Sequence, residues 1–141
     1  YTGGGYMHTT DDRTPVTFIT RYYLDKIKRL CDAHGTKLLF VTAPSPVNHT
    51  MQRHNEVQAL ADALAVPYLD LNLNTEELGI DWNLDTLDGG DHLNYTGCQK
   101  ATAYLQRYMQ THYTLPDRRD DVRYEAWNKQ AEEFEKLLPQ P

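Results

Sequence analysis

The 141-residue chain has only two cysteines, Cys31 and Cys98, and a single serine, Ser45. Two thiols are too few for the disulfide frameworks that staple small secreted scaffolds. Each lies on an apolar face of a predicted helix, where a buried free thiol is expected. Long hydrophobic runs are also missing. The longest, LLFV at 38–41, is far short of the roughly 20 residues that cross a bilayer. Basic residues are outnumbered, with 14 Lys and Arg against 20 Asp and Glu and a net charge of −6. That balance argues against nucleic acid or an anionic membrane as a general partner. No leader-like segment is visible and the first residue is Tyr1, so the chain reads as a processed or excised piece whose compartment is open.

What is present alternates. Residues 1–16 carry Gly, Thr, Asp and Pro without a period and read as a loop. The TGGG at 2–5 has neither a preceding strand nor a following GK[ST], so a connector is expected there rather than a phosphate cradle. A helical period runs from Thr17 to His34, with Leu24, Ile27, Leu30 and Cys31 on the inner face and Gly35 as C-cap. KLLFVTA (37–43) reads as a strand buried on both faces, stopped by Pro44 and Pro46. A helix over Met51–Ala65 and a second strand, VPYLDLN (66–72), follow. Residues 73–91 are acidic and irregular, with one helical turn at TEEL (75–78). Asn94 could cap a helix reaching His112, and a last helix spans about Asp120–Leu138.

This order implies βαβ units and a parallel sheet, an α/β class fold. Two parallel strands leave unpaired backbone on both edges, so these residues are expected to form part of a larger sheet. The organisation read from the sequence is a loop (1–16), an α/β part (17–114) and a helical extension (115–141).

The chemistry concentrates in DGGDHLNYTG (88–97). A neutral imidazole can take a proton from a hydroxyl nucleophile, and it needs a carboxylate on its other nitrogen to set the tautomer and stabilise the imidazolium. Asp88, across the Gly89–Gly90 turn from His92, has the better spacing for that task. The side chain of the adjacent Asp91 would usually point away, and both acids stay open as partners. The loop follows the second strand, and α/β folds gather reactive groups at the carboxyl edge of the sheet.

KLLFVTAPSP, VPYLDLN and DGGDHLNYTG, in that order, resemble the C-terminal half of the SGNH/GDSL hydrolase superfamily over roughly residues 20–112. The resemblance implies a flavodoxin-like three-layer sheet with helices on both faces and an acyl-ester hydrolase or O-acyltransferase activity. It implies His92 as base and Asp88 as its orienter, needs no cofactor, and points to a small-molecule or carbohydrate ester and an extracytoplasmic site. The family spacing D-x-x-H is altered, because position 89 is Gly. The family's nucleophile block is absent. Ser45 lies at a strand's carboxyl end but lacks the glycines of a nucleophile elbow. The fragment is therefore expected to be inactive alone, its partner being the missing N-terminal half or a second copy across the sheet edges. The alternative is a non-catalytic binding or structural remnant.

Other readings are structural. Asp85, Asp88, Asp91 and His92 match a calcium loop only loosely. His49 and His54 lack the i, i+4 spacing of a helical zinc pair. His8, His34 and His112 read as surface residues, RRDDVRYE (118–125) as a solvated face, and Trp127 and Phe134 as packing anchors.

Overall fold

A computed structural model describes Tyr1 and residues 3–138. The element order is α1 (Phe18–Ala33), β1 (Phe40–Thr42), α2 (Met51–Leu64), β2 (Tyr68–Asp70), α3 (Thr75–Leu78), α4 (Tyr95–His112) and α5 (Glu125–Leu137), with 3-10 turns before α3 and α5. The chain divides into two compact units, Tyr1–Leu105 and Gln106–Pro141.

The ends of the elements follow local chemistry. Thr17 caps α1 by accepting from the Thr20 amide, and Thr50 caps α2 by accepting from the Arg53 amide. Asn94 Oδ1 accepts from the Gly97 amide at 3.1 Å, the bond that opens a helix, and α4 starts one residue later. Gly35 and Gly79 take positive φ after α1 and α3, where a side chain would be strained. The last helix begins later than its periodicity predicts, because Asp121 accepts from the Arg123 amide and holds Val122–Tyr124 in a 3-10 turn.

The strands are shorter than their apolar runs. β1 and β2 pair in parallel, Val41 opposite Leu69 and Thr42 opposite Asp70, in a two-stranded sheet. The α/β class and the parallel pairing therefore match the sequence reading. Burial of β1 on both faces does not: Val41 is 42% exposed. The Phe40 amide donates to the Pro67 carbonyl at 2.9 Å. Alternate residues of a strand point their backbone groups to opposite edges, so this bond turns the Val41 N–H and C=O to the edge that no described strand covers.

The core is small: Leu60, Ala61, Val66, Leu69, Leu71 and Leu78. It lies where α2, β2 and the turn after β2 meet. The amphipathic stripe of α1 exists but buries nothing, and Phe18, Ile19, Tyr23 and Leu30 are all more than half exposed. What ties α1 down is polar, an ion pair of 2.5 Å from Arg21 to the buried Glu56 of α2. Pairs at i, i+4, Asp25–Arg29 and Lys28–Asp32, support the helix itself.

Three further expectations are corrected. Cys98 is exposed and Cys31 only half-buried. In the second unit Trp127 (72%) and Phe134 are exposed, so they are not packing anchors there. The cause is common to all: periodicity reports which face is apolar, not whether another element covers it. No helix among the described residues is long and apolar enough to cross a membrane.

Helix α4 presses on the preceding loop at Gly97. A Cβ there would meet the carbonyl oxygen of Asp85 at 2.3 Å, and that contact is backbone. Gly97→Ala is expected to cost about 1–3 kcal/mol in urea unfolding, whereas Gly4→Ala, with nothing within 4 Å, leaves the midpoint where it was.

Candidate functional site

The loop bearing His92 is held from below by one buried carboxylate. Asp85, 2% exposed, accepts from Lys100 Nζ at 2.5 Å, from the Asp81 amide at 2.8 Å and from the Thr96 hydroxyl at 2.8 Å. Burial pushes its pKa up, but these three donors outweigh it, so Asp85 stays below the usual carboxylate range. Its carbonyl also accepts from the Asn94 amide. Asp85 is thus a structural post and lies outside the cluster of possible cation ligands, which holds Asp88, Asp91 and His92.

Above this post, Thr86 bridges Leu93 in antiparallel fashion and the Leu87 amide donates to the His92 carbonyl at 2.9 Å. The chain makes a small hairpin whose tip is Asp88–Asp91. Gly89 and Gly90 both adopt positive φ there, which makes the turn possible. Asp88 folds back on His92 with both oxygens. Oδ1 accepts from the His92 amide and Oδ2 from Nδ1–H, each at 2.7 Å. Asp91 Oδ2 is 3.5 Å from the same nitrogen. Geometry therefore selects Asp88 as the partner, with Asp91 a flanking charge.

The hairpin meets the loop after β1. A Cβ on Gly90 would stand 3.0 Å from Pro46. Asp91 Oδ1 accepts from Ser45 Oγ at 3.3 Å and from the Asn48 side-chain amide. The imidazole thus stands beside the carboxyl end of the parallel pair, with its side chain 69% exposed. Ser45 reaches a carboxylate, not the ring, and its Oγ is also an acceptor for the Asn48 amide. Among the described residues no hydroxyl bonds His92 Nε2.

The hydrogen bond to Asp88, then the charges of Asp91 and Asp88, raise the pKa of His92 above its ordinary value. The same bond lowers that of Asp88.

A second polar cluster carried no motif. Asp70, at the carboxyl end of β2, is 4% exposed. Its Oδ2 accepts from His49 Nε2 and His54 Nδ1, each at 2.8 Å, and its Oδ1 from the Asn72 amide and side chain at 2.9 and 2.7 Å. Burial raises its pKa, while the bonds from His49, Asn72 and His54 take it well below the carboxylate range. Asn72 passes the network on, donating to the Ala43 carbonyl and accepting from the Ser45 amide and the Tyr6 hydroxyl. Burial, then the Asp70 charge, keeps that phenol protonated. The available signal was an aspartate inside the apolar run VPYLDLN, which is costly to bury unless donors surround it.

No family model, no curated protein and no solved structure matches the chain.

Two measurements check these assignments. In NMR titration His92 should titrate above an ordinary histidine. Asp88→Asn should lower its pKa more than Asp91→Asn does, and the reverse order would refute the pairing. Asp70→Ala strands two imidazole donors and should cost on the order of 3 kcal/mol at neutral pH. Because the folded pKa of Asp70 is depressed, its contribution is complete above the unfolded value and fades as pH falls. The gap between wild type and variant should therefore narrow below about pH 4.

Proposed function

We propose that these residues are the carboxyl-terminal part of an SGNH-type α/β domain, a flavodoxin-like three-layer sheet that hydrolyses or transfers acyl esters. His92 is its base and Asp88 the residue that orients it. The observation that carries this reading is the 2.7 Å Asp88–His92 pair on a hairpin seated against the loop that ends β1. With Nδ1–H held by Asp88, Nε2 is the basic nitrogen. It takes the proton from a hydroxyl as that oxygen attacks the acyl carbonyl, then returns it to the departing alkoxide. Asp88 stabilises the imidazolium in between.

The attacking hydroxyl is not Ser45, whose proton goes to Asp91. It belongs to a segment outside these residues. The uncovered edge of β1 and the largely exposed apolar stripe of α1 support a larger sheet in which such a segment would lie. A small-molecule or carbohydrate ester is the substrate class that goes with this reading. A non-catalytic binding or structural role is favoured by one observation, the 69% exposure of the His92 side chain, since bases that act on esters generally work where water is excluded.

The purified 141-residue chain is expected to show no esterase activity. In the longest open reading frame containing this sequence, a fluorophosphonate probe should label a serine upstream of Tyr1, and His92→Ala should slow labelling by about a hundredfold or more. Turnover by the isolated chain that His92→Ala abolishes would overturn the missing-nucleophile account. Labelling of the variant at the wild-type rate would overturn the role of His92.

A further inference from the structure

We propose that the cavity between the first turn of α2 and the segment 14–20 binds a compact oxyanion, the carboxylate or phosphate group of a small ligand. This site is separate from His92 and does not rest on the acyl-transfer reading.

The cavity has a volume of about 470 Å³, and its polar lining is Thr14, Thr17, Thr20, Thr42, His49 and Arg53. Pro15, Val16 and Val57 complete it, so no carboxylate faces the space. In a chain of net charge −6 that is a selective surface. The nearest acid on α2, Glu56, is already engaged by Arg21 and by the Val16 amide.

His49 is the second observation. Its side chain is more than nine-tenths buried. The ionised Asp70 behind it accepts from Nε2–H, which leaves Nδ1 as the remaining polar atom of the ring. Nδ1 has no protein partner, yet no buried side-chain nitrogen among the described residues lacks one. Nδ1 is therefore reachable from outside, and the space that His49 lines is this cavity. A ligand O–H, as on a hydrogen phosphate or a carboxylic acid, donates to Nδ1, so the ring supplies a fixed contact.

Arg53 supplies the charge. One guanidinium nitrogen donates to the Asn48 carbonyl, which anchors the side chain at the cavity. Its other donors form the planar fork that suits a two-oxygen acceptor. The amino end of α2, a helix of 14 residues, adds a favourable field for negative charge. Of the threonine hydroxyls, that of Thr14 adds a neutral donor, while those of Thr17 and Thr20 bond each other and that of Thr42 pairs with Tyr68.

Titration of the folded chain with inorganic phosphate and, separately, with acetate tests the assignment, read from the histidine ring nitrogens by long-range ¹H–¹⁵N NMR. A saturable shift confined to His49 is expected with at least one anion and not with sodium chloride at equal ionic strength. Which anion acts identifies phosphate or carboxylate as the ligand group. Arg53→Met should weaken the affinity by at least about tenfold. Arg53→Lys keeps the charge without the fork, should bind at an intermediate level, and serves if the Met variant does not fold. The proposal is overturned if neither anion moves His49 in the wild type, or if the Arg53 variants respond as the wild type does.

Discussion

One buried carboxylate organises the first unit. Asp70 sits where β2 ends, and its four hydrogen bonds reach three parts of the chain: the loop after β1 through His49, α2 through His54, and the turn after β2 through Asn72. Asn72 then clamps the end of β1 at Ala43 and Ser45. With so few buried apolar residues in the core, burial alone specifies the arrangement weakly. A fully satisfied polar network in low dielectric supplies the specificity that a larger core would otherwise give. Removing any one donor leaves the others around a charge that cannot be solvated.

Asp85 repeats the device beneath the His92 hairpin. Lys100, Thr96 and the Asp81 amide satisfy it, and it fastens the His92 hairpin to α4. The two posts divide the labour. Asp70 sets the loop that receives the hairpin, and Asp85 sets the hairpin itself. Between them Asp91 Oδ1 joins the two loops through Ser45 and Asn48, while Oδ2 stands 3.5 Å from His92 Nδ1, farther than the 2.7 Å of Asp88. The candidate base thus rests on buried charge, while its own ring stays in solvent.

The uncovered surfaces belong to the same account. Val41 turns its backbone outward at the edge of β1 that no described strand covers, and α1 keeps much of its apolar surface exposed, at Phe18, Ile19, Ile27 and Leu30. Such features are costly in water and templates for pairing. The lack of strands that made the sequence look like part of a sheet recurs, among the described residues, as an unpaired edge of β1 and a largely exposed face of α1.

Much of the local structure was determined by the sequence itself. The caps at Thr17, Thr50 and Asn94, the prolines at 44 and 46, and the positive-φ glycines act over a few residues, so their effect is readable without knowing the fold. The Asp88–His92 pair is of this kind too, since a turn of four residues brings its members together. Only tertiary structure decided the rest. It chose Asp88 over Asp91, at 2.7 Å from His92 Nδ1 against 3.5 Å. It joined His49, His54 and Asp70, which lie 16 and 21 residues apart. It also left much of the apolar stripe of α1 exposed. Hydrophobic periodicity and charge spacing describe what a segment can offer, whereas which offers are taken up depends on partners distant in the chain.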